Sequence, residues 1–199
     1  MSTSEKKAPS TKVLGGPARF SFAHVFVPTS MDPDDPKKKY SVQLLIPKKD
    51  TAFVKMIKDA IKAASELGKQ KKWGGKLPAN LRSPLRDGDA EKPDVDVYAG
   101  HYFINATSGQ KPGVVDKDRN PLTSDDEFYS GCFGRFSINF FPYDAKGNKG
   151  IGCGLNHLQK TRDGERLGGR PGVDDEFNDD WKDPEDNDEN SSDDNDLLD

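Results

Sequence analysis

A chain of 199 residues with 32% hydrophobic and 32% charged side chains, 19 glycines and 14 prolines buries only a modest core, which argues against a large α/β enzyme and for one small β-rich domain with polar ends. The formal charge of −4 averages two unlike parts: residues 172–199 hold 14 acidic side chains against the single Lys182, or −13, while residues 1–171 hold 29 basic against 20 acidic, or +9. A basic body tied to a polyanionic end marks nucleic-acid or membrane-surface partners, and with no apolar leader and no run near the ~18 residues of a membrane span, the chain reads as cytoplasmic with no membrane partner.

Residues 1–15 are polar and expected to be disordered. ARFSFAHVFV (18–27) then alternates, with Phe20, Phe22, His24 and Phe26 on one side and Arg19, Ser21, Ala23 and Val25 on the other, the period of a strand. A turn-rich connection with Lys37, Lys38 and Lys39 leads to a second strand, YSVQLLI (40–46), with Tyr40, Val42, Leu44 and Ile46 inward. Pro47 ends it, and Asp50 or Thr51 can cap a helix in which Phe53, Ile57, Ala60, Ile61, Ala64 and Leu67 recur three and four apart, with Gly68 as its C-cap. The stripe reads as core packing.

KQKKWGGKLPANLRSPLRDGD (69–89) is a basic loop whose Trp73 could stack on a base or cover the helix edge. YAGHYFINA (98–106) is the third strand, with Tyr102, Ile104 and Ala106 on one face and His101, Phe103 and Asn105 on the other. The loop GQKPGVVDKDRNPLT follows. The fourth strand is 132–141 and the fifth about 150–158, joined by the YDAKGNKG turn, where Gly and Asn permit positive φ. This order predicts a mostly β domain with one main helix over 16–171, an OB-fold-like five-stranded antiparallel barrel, followed by a disordered acidic C-terminal tail, 172–199. A conventional OB-fold carries its helix between strands three and four, so either an early strand escapes the pattern or this helix is an insertion.

In 132–141, Phe136, Ile138 and Phe140 share one parity and Phe133, Arg135, Ser137, Asn139 and Phe141 the other. Arg, Ser and Asn are costly in a core, so the second set should face solvent, leaving Phe133 and Phe141 on either side of Arg135 as rings on which bases can stack. The competing reading is that a loop or a second subunit covers this face. His101, Phe103 and Tyr129 repeat the pairing of ring and polar group, and Lys146, Lys149, Lys160 and Arg162 could follow a phosphate backbone. GxGxG at 150–154 lacks the helix of a nucleotide fingerprint and reads as a strand kept thin for close approach. Cys132 and Cys153 read as buried free thiols, and the scattered His24, His101 and His157 give no ligand spacing, so no metal and no cofactor is expected. In the tail, Asp193, Asp194, Asp196, Leu197, Leu198 and Asp199 form an acidic end with an apolar pair that could dock on a partner or occupy the protein's own basic groove.

KYSVQLLIPK (39–48), GHYFINATSGQKPGVVD (100–116), YSGCFGRFSINFFPYDAKGNKGIGCGLNHLQKTRDGERLGGR (129–170) and DDEF (174–177) together closely resemble a bacteriophage single-stranded DNA-binding protein family, long catalogued as a domain of unknown function. The resemblance spans roughly residues 15–177. It implies an OB-fold core, sequence-independent binding of single-stranded DNA, a part in phage replication or recombination in the host cytoplasm, and an acidic tail that recruits replication or recombination proteins and restrains binding. Duplex DNA would bind more weakly. The other readings are a metal-dependent nuclease working through Asp116, Asp118 and Asp125, and an adaptor whose main task is protein recruitment.

Overall fold

The computed structural model describes residues 10–30 and 36–168. Its strands are β1 (Lys12–Thr29), β2 (Lys39–Pro47), β3 (Arg86–Asp87), β4 (His101–Ser108), β5 (Gly113–Val115), β6 (Phe133–Ala145) and β7 (Asn148–Arg162), with helices α1 (Thr51–Lys71) and α2 (Gly88–Glu91). The sheet order is β3-β4-β2-β1-β6-β7-β5, and a parallel pairing of Thr107 on β4 with Gly154 on β7 joins it to itself. Five strands, β1, β2, β4, β7 and β6, thus form a closed barrel of the expected OB-like kind, which leaves none of them as a free edge. The two short strands, β3 and β5, are additions that the sequence pattern did not resolve.

The main helix lies between the second and third barrel strands, as the order of elements predicted. The Asp50 side chain accepts from the Phe53 amide at its N-terminus, and Phe53, Val54, Ile57, Ala60 and Ala64 face the barrel, where Phe53 meets Phe136 at 5.7 Å between ring centres. Leu67 is exposed instead of inward. The helix also outlasts Gly68, which sits in its last turn under the Trp73 ring rather than capping it.

Several boundaries and one parity differ from the sequence reading: the third barrel strand spans His101–Ser108, with Tyr98 in a short 3-10 turn ahead of it, and β6 and β7 run on to the hairpin at 146–147. β1 starts at Lys12, opposite Asn139 of β6, so residues 12–15 belong to the barrel and not to a disordered end. In β1 the register with β2 slips by one residue between Ser21 and His24, and Phe22 sits in the bulge with φ 45 and 62% exposure. The extra residue reverses the alternation, so Val25 is buried and neither Phe22 nor His24 follows Phe20 inward. The hairpin between β6 and β7 is a two-residue turn whose positive-φ positions are Lys146 and Gly147, both before Asn148. The tail at 172–199 and residues 1–9 lie outside the described residues.

Phe20, Phe136, Phe140, Ile57, Ile104, Ile138 and Leu158 fill the barrel, together with the free thiols Cys132 and Cys153. Burial pushes the two thiols up, to about 11 for Cys132 and about 12 for Cys153. The unfolded chain therefore gives up these protons first as pH rises above ~8.5, and their contribution makes stability fall with pH from there. At pH 8 a thiol reagent should leave the native protein unmodified and label both cysteines in denaturant; rapid native labelling would contradict the burial. Phe136→Ala should lower unfolding free energy by about 3–5 kcal/mol in a denaturant titration.

Candidate nucleic-acid interface

β6 divides its side chains cleanly between the two faces of the barrel wall. Phe136, Ile138 and Phe140 are buried in the core, while Phe133, Arg135, Asn139 and Phe141 point outward, with Arg135 and Phe141 exposed and Phe133 and Asn139 half-buried. Ser137 shares the outward parity yet is buried beside Asn156, whose amide donates to its hydroxyl at 3.4 Å. The alternation read from the sequence therefore holds along this strand apart from Ser137, although Gly164 packs beside Phe133 and Arg119 lies near Arg135, so only Arg135 and Phe141 of the outward set are exposed.

At the start of β6 lies a groove of about 580 Å³. Arg19, the cross-strand partner of Phe133, places its guanidinium carbon 5.4 Å from that ring's centre, and Arg162 of β7 lies over the ring at 3.8 Å. Arg19 is held in place by donating from Nε to the Gly131 carbonyl at 3.2 Å and from Nη2 to the Glu165 carbonyl at 2.8 Å. The opposite rim is Pro47, Lys48, Lys49 and His101, brought there because β2 pairs with β4 at Pro47 and His101. Lys48 is neutralised by Asp87 at 2.5 Å and Asp89 at 2.7 Å, and its hydrogen bonds hold both carboxyls below their usual range. Lys49 has no such partner among the described residues, so the groove's available positive charge comes from Arg19, Lys49 and Arg162.

Arg135 lines a second, shallower pocket of about 260 Å³ with Leu14, Arg119, His157 and Gln159. Phe141 lies at the other end of the strand beside the hairpin that carries Lys146 and Lys149, and Lys149 is only loosely paired with Asp144, at 3.7 Å. Phe133 and Phe141 are eight residues apart, about 26 Å along an extended strand. The expected cluster is thus a line of stations on one strand rather than a single patch.

Four expected contacts are placed differently. Trp73 is 5% exposed, packs on Gly68 and donates its indole N–H to the Tyr143 carbonyl at 3.1 Å, so it covers the helix edge. Phe103 is on the outer face of β4 but 1% exposed, enclosed by Tyr98 edge-on at 5.2 Å and by the Arg86 guanidinium at 4.7 Å. The Lys160 ammonium is spent on the Glu127 carbonyl and Asp163, both at 2.6 Å. Tyr129 gives its ring to Lys160 and Arg166 and its hydroxyl to Asp163 and Gly164. All four are thus engaged by partners within the protein. Sequence parity missed the covers of Phe103 and Tyr129 because they come from other segments of the chain, 86–98 and 163–166. Arg19 was on the outward parity of β1, and only strand pairing reveals that it faces Phe133.

The residues of the nuclease reading do not assemble. Asp116 Oδ1 accepts from the Asp118 and Asn120 amides and Oδ2 from the Asn120 side chain, a self-contained loop, and among the described residues no three His, Cys, Asp or Glu side chains converge as metal ligands. Asp193 to Asp199 lie outside the described residues.

The family model described as "Enterobacter phage Enc34, ssDNA-binding protein" matches residues 11–190. Protein p50 of Acyrthosiphon pisum secondary endosymbiont phage 1 is 34% identical over 161 residues, covering 76% of this chain and 83% of that protein. Among solved structures, the single-stranded DNA-binding protein from bacteriophage Enc34 in complex with ssDNA superposes with a TM-score of 0.70 at 26% identity, over 83% of this chain and 97% of the other. The bacteriophage T7 protein gp2.5, a single-stranded DNA-binding protein, shares the fold at a TM-score of 0.52 and 16% identity, over 77% of this chain and 93% of the other.

Trp73→Phe keeps the ring and removes the N–H, leaving the Tyr143 carbonyl without that donor. It should lower unfolding free energy by about 1–3 kcal/mol in thermal or denaturant melts. No loss would mean that the carbonyl finds water and that Trp73 is not structural.

Proposed function

The chain belongs to the family of single-stranded DNA-binding proteins exemplified by that of Enterobacter phage Enc34, and from that premise we propose that it coats single-stranded DNA without regard to sequence and performs no chemistry on it. The carrying observation is the Phe133 ring flanked by Arg19 and Arg162 on the wall of an open groove. An unpaired base can stack on such a ring whatever its identity, and a guanidinium can pass from ring to phosphate without leaving the groove. Phe133, Arg162 and His101, with Arg19 and Lys49, hold the strand at this end; Arg135, Phe141, Lys146 and Lys149 serve it further along β6.

The site is a place for phage replication or recombination intermediates in the host cytoplasm, and no helix among the described residues is long and apolar enough to cross a membrane. The acidic tail, ending in Asp193, Asp194, Asp196, Leu197, Leu198 and Asp199, competes with DNA for the basic groove and recruits replication or recombination proteins. Its charge of −13 against +9 for residues 1–171 supports that reading.

Fluorescent oligo-dT and duplex DNA titrated into the full chain should show preference for the single strand, with log K falling against log salt by about 0.7 per phosphate neutralised. Equal affinity for both, or no salt dependence, would defeat the proposal. Phe133→Ala should weaken oligo-dT binding about tenfold without changing the melting profile. Removal of 172–199 should tighten DNA binding at low salt; unchanged affinity would leave the tail as a recruitment element alone.

A further inference from the structure

Three consecutive outward residues of β6 face three glycines of β7: Asn139 opposite Gly154, Phe141 opposite Gly152 and Tyr143 opposite Gly150. Each side chain leans across the strand gap onto the bare backbone. A methyl at Gly152 would stand 2.5 Å from Phe141 Cζ, and one at Gly150 would stand 2.4 Å from the Tyr143 hydroxyl oxygen. The alternate glycines of GIGCG therefore make a floor on which two rings rest, while Ile151 and Cys153 between them point into the core.

We propose that Phe141 and Tyr143, laid on this glycine floor, form a second stacking station for unpaired bases of the same DNA strand that leaves the groove at Phe133. The inference rests on the single-strand reading and adds to it a place, a positioning device and a path along β6. The rings at Phe133, Tyr129, Tyr102 and Phe26 each carry a lysine or arginine, whereas Phe141 has neither a cation nor a ring against it among the described residues and remains 43% exposed. A ring with its edge fixed on backbone loses little freedom when a base arrives, which favours stacking over a freely rotating side chain. Lys146 and Lys149 on the adjoining hairpin supply the charge that a phosphate backbone needs, and Arg135 lies between the two stations. With about 26 Å between Phe133 and Phe141, only an oligonucleotide of several residues reaches both.

Gly152→Ala separates position from presence, because the clash falls on the far end of the Phe141 side chain and the ring is moved without being removed. Wild type, Gly152→Ala, Phe141→Ala and the double variant are titrated with oligo-dT of about 4 and about 16 nucleotides, the limits of what one OB fold occupies. Each single variant should bind the longer oligonucleotide about tenfold more weakly, the double variant no more weakly than Phe141→Ala, and all should bind the shorter one like wild type. Urea melts run alongside tell positioning from packing. Lower stability with unchanged affinity for the longer strand would overturn the station and leave the rings as a cover for the β7 backbone. Full loss in Phe141→Ala with none in Gly152→Ala would overturn the positioning by glycine. Failure of wild type to prefer single strands would instead sink the reading beneath it.

Discussion

Where Thr107 of β4 meets Gly154 of β7, the sheet pairs with itself, and the rest of the architecture depends on that closure. Once the wall is continuous, each barrel strand has one face in the core and one outside, and a residue's parity decides which it serves. Phe136 and Phe140 are then committed to packing and Phe133 and Phe141 to the exterior, with no freedom to exchange unless the register slips. The pairing also fixes where the glycine row runs, since Gly154 is both the closing residue and the first glycine beneath the outward residues of β6.

The exterior is not used evenly. On β2 and β4, the outward Leu45 and Phe103 form a small cluster of their own with Tyr98, against which Val97 and Leu167 pack, while Arg86 caps the Phe103 ring. On β6 Arg135 and Phe141 are left exposed, and the charges along that face are Arg19, held by two backbone carbonyls, with Arg135, Arg162 and lysines at the hairpin. The covered half fixes the segments that end at the groove, including the chain around Glu165 that anchors Arg19. The open half keeps its rings and cations available. Salt bridges at the rim, Lys48 with Asp87 and Asp89, tie the end of β2 to β3 and α2 and occupy one of the rim's cations.

Much of this was legible before any coordinates, because it depends on local alternation. The parity of β6, the Asp50-capped helix, the placement of that helix between the second and third barrel strands and the thin GxGxG strand all follow from period and residue type. What was not legible depends on contacts distant in sequence. Phe103 has the same outward parity as Phe133, and its burial comes from Tyr98 and Arg86, which no periodicity of β4 contains. Trp73 looked equally suited to a base or to a helix edge, and the Tyr143 carbonyl decided between them. Phe22 was misplaced for a different reason: a single inserted residue in β1 reverses a pattern that otherwise looks regular, and nothing in ARFSFAHVFV marks the slip. Arg19 was visible as an outward residue, but its meeting with Phe133 is a product of strand pairing.

The Arg162 guanidinium resting on Phe133 bears on how a protein keeps a hydrophobic ring at its surface without becoming sticky. The ring already has a resident companion, charged and tethered to the same barrel, so the patch offered to other molecules is partly polar. On the proposed reading, a base that takes the guanidinium's place would exchange one flat partner for another, and the displaced charge would stay within reach of the phosphate that accompanies the base. Stacking and charge neutralisation at this position would then be two halves of one substitution. On that reading the ring would meet little bulk water at any stage, because one flat partner leaves as the next arrives.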